Sequence, residues 1–200
     1  MATEWLLVAK ARNDFADLFE SLSDEQLAAP SLCEQWSTLD VAGHLVSLVE
    51  LSIFQLAKGT AKNRGDSDRF LGDVAKDMSP RGAADLAASL RSNASKAMKP
   101  FSEASMVADT LVHTLDVTRA LNLEDRLDAE LLNVALDEGA NEMAKSFKKQ
   151  PMPTFTATDL DWNAGSGPEI SGTAATLLLA LYKRDVGSEL TGDGVALLPS

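Results

Sequence analysis

Cysteine is nearly absent from this 200-residue chain, where Cys33 stands alone. An intrachain disulfide is therefore excluded, and so is a zinc site built only from thiolates. Basic residues are also scarce, with 18 Lys and Arg against 30 Asp and Glu and a net charge of -12. Phosphate binding needs clustered cations, so nucleic acid is excluded as a partner and an anionic membrane surface is disfavoured. Long apolar runs are missing as well. Stretches such as 173-TAATLLLALY-182 fall far short of the ~20 residues that a bilayer span requires. The opening MATEWLLVAKARNDF has no signal-peptide h-region. These absences lead us to expect a soluble, cytoplasmic protein.

What is present is a core-forming composition. At 45% hydrophobic residues, the chain can bury a substantial interior in one large domain, or in one domain with a small appendage. Neutral small molecules, metal cations and protein partners remain as ligands, and exposed helix faces are compatible with a homodimer.

Helical periodicity dominates to about residue 148. Apolar positions from Trp5 to Leu22 predict a helix over 4–22. Ser23 and Gln26 are spaced as a capping box for a short turn ended by Pro30. Ser37 and Asp40 mark the start of a second helix running to about Lys58. The polar stretch 59-GTAKNRGDSDRFLGD-73 reads as a loop. Ser79-Pro80 predicts the start of a third helix, ending near Lys99-Pro100. A fourth covers about 102–121. A fifth starts at Asp128 and finishes in 145-KSFKK-149, where cations suit the negative end of a helix dipole. Beyond Pro153 the pattern changes. The alternating 154-TFTATDLDW-162 predicts a strand, 163-NAGSGPEISG-172 a turn-rich connection, and 172–184 a helix, before a final apolar 195-VALLPS-200. The expected plan is a helical bundle over 1–148 with a small α+β segment over 149–200.

The two histidines frame the chemistry. In 106-MVADTLVHTLDVTRAL-121, Asp109, His113 and Asp116 recur at i, i+4 and i+7, which puts them on one helix face. His44 lies within 39-LDVAGHLVSLVEL-51, between Val41 and Leu48 on its own face. A carboxylate beside an imidazole needs solvent or a cation, and a divalent metal would supply the cation. Zinc accepts neutral imidazole and carboxylate donors, and an i, i+4 pair on one helix is a known bidentate spacing. His44 is the one imidazole left to complete a three-residue set, leaving a fourth position open to water or a thiol. Nickel or iron(II) would accept the same donors. The bland alternative is that both histidines are hydrogen-bonded core residues. Asp116 reads as an acceptor behind a ligand imidazole, as a solvated carboxylate, or as one paired with Arg119 at i+3. Cys33 has no Lys, Arg or His beside it in sequence and reads as a small buried residue rather than a nucleophile. Trp36 and Trp162 read as packing groups, with the wall of a cleft as the alternative.

The segments 33-CEQWSTLDVAGHLV-46 and 109-DTLVHTLDVTRAL-121 resemble the mycothiol-dependent maleylpyruvate isomerase family, within the DinB/YfiT-like four-helix-bundle superfamily. The tail 160-LDWNAGSGPEISGTAATLLLALYKRDVGSELTGDGV-195, with its Gly-Pro-Glu-x-x-Gly turn, is similar to that family's C-terminal segment. The resemblance implies a mainly α, DinB-like up-down helical bundle with a small α+β C-terminal segment. It implies zinc held by His44, Asp109 and His113, with Asp109 standing where the family has the longer Glu. A family arginine implicated in activity falls at Arg184, although Tyr182-Lys183 replaces the usual Thr-Gly before it. The safer reading of Arg184 is a charge at a helix C-terminus.

The implied chemistry is thiol activation, because a metal lowers the pKa of a thiol coordinated at its open position. Mycothiol would be the thiol cosubstrate and would attack a small electrophile. Isomerisation results if the adduct rotates and expels the thiol, and transfer results if it stays attached. Two other readings remain open, a metal-bound binding or stress-response module without turnover and a metal-free bundle.

Overall fold

The computed structural model describes residues 5–98, 100–148 and 150–198. Among them the α-helices are α1 (Leu6–Ser21), α2 (Asp24–Ala28), α3 (Thr38–Glu50), α4 (Ile53–Lys62), α5 (Ser67–Met78), α6 (Ala83–Ser92), α7 (Glu103–Ala120), α8 (Ala129–Ala144) and α9 (Ala174–Leu181). The strands are β1 (Thr154–Ala157), β2 (Asn163–Ala164) and β3 (Glu169–Gly172). No helix among the described residues is long and apolar enough to cross a membrane. Two compact units divide the chain. One is Met1–Met106 with Asp116–Glu124, and the other is Val107–Leu115 with Asp125–Ser200.

In the first unit, α3 packs on α5 and α6, and α1 packs on α6. Phe15 and Phe19, one turn apart on α1, stack with ring centroids 4.7 Å apart and are almost wholly buried, as are Val41, Val46, Leu86 and Leu90. Each such side chain contributes about 1.5–3 kcal/mol by leaving water. Polar groups fix the helix ends. The buried Arg12 guanidinium donates from Nη1 to the carbonyls of Asn93, Ala94 and Lys96 at 3.3, 2.8 and 2.9 Å, where the chain leaves α6. Glu103, in the first turn of α7, accepts from the backbone N–H groups of Leu7 and Val8 and so caps α1 from a distance.

In the second unit, β1 lies between an antiparallel β2 and a parallel β3, with Phe155 opposite both Ala164 and Ile170. Phe155 and Ile170 are fully buried, and every residue of α9 is buried. Helix α8 packs on α9. Trp162 donates from its indole N–H to the Asp137 carboxylate on α8 at 2.9 Å and is itself buried, so it is a packing residue. Helix α7 is buried around most of its circumference from Met106 to Thr118, which makes its polar residues unusual.

The mainly helical class, with a small sheet near the C-terminus, agrees with expectation. Several elements differ from it. The helix expected from Ser37 to Lys58 is two helices, because Ser52 and Gln55 form a second capping box that restarts the chain at Ile53. The stretch expected as a loop over 59–73 contains the end of α4 and the start of α5. Asp66 caps α5 through the Arg69 N–H, and Phe70, Val74 and Ala75 turn inward. Ser79-Pro80 opens only a 3₁₀ turn, and Gly82, at φ +82°, separates it from α6. The connection expected over 163–172 contains β2 and β3. The final apolar stretch begins in a 3₁₀ turn over Asp193–Leu197. Glu4, Lys99, Lys149, Pro199 and Ser200, at the expected ends of elements, lie outside the described residues.

Candidate metal centre

His44 is set by a firmly anchored helix. The Ser37 hydroxyl accepts from the Asp40 N–H while the Asp40 carboxylate accepts from the Ser37 N–H, so the start of α3 is closed reciprocally. Burial pushes the Asp40 carboxyl up, but hydrogen bonds from the Ser79 and Ser37 hydroxyls and the Lys76 charge hold it below its ordinary value. Next to His44, Gly43 lets α3 approach α5. A Cβ built at Gly43 would sit 2.3 Å from the Ala75 carbonyl oxygen. His44 is 6% exposed, and the Trp36 indole stands against its ring at 5.0 Å between centroids and a 40° tilt. Trp36, half-buried, therefore borders the histidine rather than serving the core alone.

Asp109 and His113 come from α7, one turn apart. His113 Nε2 lies 3.8 Å from Asp109 Oδ1, with the histidine nearly buried and the aspartate side chain 30% exposed. Ligand atoms of His44, Asp109 and His113 all lie within 4.8 Å of one another. Four bonds of about 2.0–2.1 Å in a tetrahedron put ligand atoms roughly 3.4 Å apart, so small side-chain adjustments suffice to bring this set onto one ion. Two imidazoles and a carboxylate are also the donor chemistry that a divalent cation takes. The donors fit.

A second group shares His113. Ligand atoms of Cys33, His113 and Asp116 also lie within 4.8 Å of one another. The Cys33 thiol donates to Asp116 Oδ2 at 2.9 Å, and the Leu32 N–H donates to the Asp116 backbone carbonyl at 3.0 Å. Asp116 is fully buried, so the solvated-carboxylate reading does not hold. Cys33 is half-buried and has an imidazole and a buried carboxylate beside it, whereas its sequence neighbours offer no imidazole. The relevant partners lie some 80 residues away, beyond the reach of local reading.

Tyr182 was passed over in the sequence. Its ring fills the space left by Gly139, where a Cβ would come within 3.0 Å of Tyr182 Cε2. Burial pushes its phenol well above the ordinary range, and the carboxylates of Glu138, Asp109 and Glu142 add to the push. A proton-bearing phenol thus stands in the field of Asp109. Its only sequence signal was the departure from Thr-Gly before Arg184.

Arg184 closes α9. Its N–H bonds to the Leu179 carbonyl at 2.9 Å, and the Lys183 N–H bonds to the Ala180 carbonyl at 3.0 Å. Lys183 sits at φ +62°, which completes a Schellman turn without glycine. The guanidinium donates to the Tyr182 carbonyl at 3.2 Å, as expected for a cation at a helix C-terminus.

A family model described as the mycothiol maleylpyruvate isomerase N-terminal domain matches residues 8–106. The match contains Cys33, Trp36 and His44 and stops three residues before Asp109. Two similar solved structures are crystal structures of the mycothiol-dependent maleylpyruvate isomerase and of its histidine-to-alanine mutant. Each is 12% identical, with 94% of this chain and 91% of that chain covered and a TM-score of 0.48. No curated protein matches the chain. Residues 8–106, just under half of the chain, are therefore similar to the mycothiol maleylpyruvate isomerase N-terminal domain.

Proposed function

We propose that the chain is a divalent-metal-dependent enzyme that uses a low-molecular-weight thiol of the mycothiol type on a small electrophile, as an isomerase or a transferase. The observation that carries this reading is the mutual approach, within 4.8 Å, of ligand atoms from His44, Asp109 and His113. Zinc is the metal we assign, held by the two imidazoles in their neutral form and by the Asp109 carboxylate. When bound, it would supply a Lewis acid that lowers the pKa of a coordinated thiol. The chain's own groups then have separate tasks. His44, backed by Trp36, presents a nitrogen from a rigid helix. Asp109, the more exposed ligand, faces the side from which a thiol would arrive. Tyr182 keeps its proton and is a hydrogen-bond donor for a carbonyl or carboxylate oxygen. Arg184 is the cation we assign to an anionic group of the electrophile.

In isomerisation, the thiol sulfur adds to one carbon of a carbon–carbon double bond, the resulting single bond rotates, and the same sulfur leaves as the double bond re-forms. The thiol is regenerated and no oxidant is consumed. In transfer, the carbon–sulfur bond persists, and either the neighbouring carbon takes up the proton the thiol gave up or a leaving group departs from the attacked carbon with its electron pair. Maleylpyruvate, named for the related structures, is the first electrophile to try. The cytoplasm, where small thiols stay reduced, is the compartment that suits this chemistry.

The test is turnover of zinc-loaded protein with mycothiol and maleylpyruvate, followed with and without a chelator. The reading expects conversion that needs both thiol and metal. Stoichiometric zinc binding with no conversion of this or other activated alkenes would favour a metal-bound module without catalysis.

A further inference from the structure

Asp116 is a fully buried carboxylate on α7, one turn beyond His113 and on the same face. A carboxylate removed from water is costly unless strong donors meet it. One donor is the Cys33 thiol at 2.9 Å. A thiol is a weak donor and offsets only part of that cost. The imidazole of His113 also stands close by, since ligand atoms of Cys33, His113 and Asp116 all lie within 4.8 Å of one another. Its Nε2 lies 3.8 Å from Asp109, so a proton carried on the other ring nitrogen would serve a different acceptor.

The loop before α3 holds the thiol in place. The Cys33 N–H donates to the Ser31 hydroxyl at 3.1 Å, and the Cys33 carbonyl accepts from the Trp36 N–H at 3.2 Å. Leu32, the preceding residue, donates its N–H to the Asp116 backbone carbonyl. The same short loop therefore grips Asp116 twice and carries the indole that stands against His44.

We propose that Cys33 and Asp116 are positioning residues, a thiol and a carboxylate that form a chain onto His113 and fix its tautomer so that Nε2 is free to hold a metal ion. Cys33 orients the Asp116 carboxylate, and Asp116 takes the proton on the other ring nitrogen. A carboxylate behind a ligating histidine sets ring orientation and raises basicity, and its loss typically weakens metal binding 10–100-fold. The inference rests on His113 being a ligand, as proposed above, and it gives the chain's one cysteine a task that involves no nucleophilic attack. It differs from direct coordination by Cys33, which would leave Asp116 and the thiol competing for one ion.

The test uses the full chain and zinc alone, with affinity measured by competition against a chelator. Variants are Asp116→Asn, Cys33→Ala and Cys33→Ser, and the ring nitrogens of His113 are read by ¹⁵N NMR in metal-free protein. The expected result is 10–100-fold weaker zinc binding in Asp116→Asn. Cys33→Ala should weaken binding less, and Cys33→Ser should restore it, because a hydroxyl still donates to the carboxylate. One tautomer in the wild type should give way to a mixture in Asp116→Asn. Unchanged affinity and tautomer in both Asp116→Asn and Cys33→Ala would overturn the chain while leaving the metal reading intact. A sulfur-to-metal charge-transfer band in cobalt-substituted wild type without added thiol would overturn it in favour of coordination by Cys33. Absence of zinc binding in the wild type would remove the metal reading, and the tautomer measurement would then still decide the chain. If Asp116→Asn fails to fold, the pair of Cys33 variants carries the test.

Discussion

Asp109 and His113 stand one helical turn apart on α7, with Oδ1 and Nε2 separated by 3.8 Å, and ligand atoms of both lie within 4.8 Å of one from His44. Asp109→Asn keeps the shape and removes the charge, so zinc affinity should fall by at least about tenfold. Asp109→Glu keeps the carboxylate on a side chain one methylene longer and should retain the ion. Chelator competition on the two variants distinguishes a ligand carboxylate from a solvated one. Equal affinity in Asp109→Asn and wild type would remove Asp109 from the set.

Gly43 decides how closely α3 approaches α5. Gly43→Ala pushes a methyl group to 2.3 Å from the Ala75 carbonyl oxygen, and backbone cannot yield as a flexible side chain would. The expected cost is about 1–3 kcal/mol, measured by urea unfolding. Because His44 is the next residue, metal affinity should fall together with stability.

Arg12 and Glu103 are structural counterparts in the first unit. Arg12→Met removes one donor from three backbone carbonyls and should cost about 2–3 kcal/mol. Glu103→Ala uncaps the first turn of α1 and should cost about 1 kcal/mol. Both variants should keep zinc affinity once folded. Loss of metal at full helicity would show that these residues belong to the site.

Tyr182 gives a pH dependence of definite sign. Its phenol has an ordinary value of 10.0 and a raised one in the fold. The unfolded chain therefore loses this proton first as pH climbs, and ∂ΔG/∂pH is negative above that point. Stability supplied by the neutral phenol is complete below about pH 10 and declines as pH rises beyond it. Urea unfolding between about pH 9 and 11 should show a steeper decline in wild type than in Tyr182→Phe. Parallel curves would mean the phenol titrates alike in both states.

Local chemistry was the legible part of the sequence. The capping boxes at Ser23 with Gln26 and at Ser37 with Asp40 form as their spacing predicts. The period that puts Asp109 and His113 on one face is a property of α7 itself. The same pattern at Ser52 with Gln55 restarts the chain, so two helices stand where apolar periodicity predicts one. Helix α5 was hidden by the glycines and charges of its first half, although Phe70, Val74 and Ala75 carry the period. Strand β3 pairs in parallel with β1 across an intervening hairpin, and no local signal announces that pairing. Cys33 with Asp116 and Trp36 with His44 are tertiary relations, set by loop closure and packing rather than by neighbours in the chain.

The most direct test of the central claim is the metal content of the purified protein by elemental mass spectrometry, alongside His44→Ala and His113→Ala. The account predicts about one zinc per chain in the wild type, lost in both variants while helical circular dichroism persists. Wild-type protein that holds no metal, even after zinc is offered and the excess dialysed away, would contradict it. His44 and His113 would then be core residues of a metal-free fold.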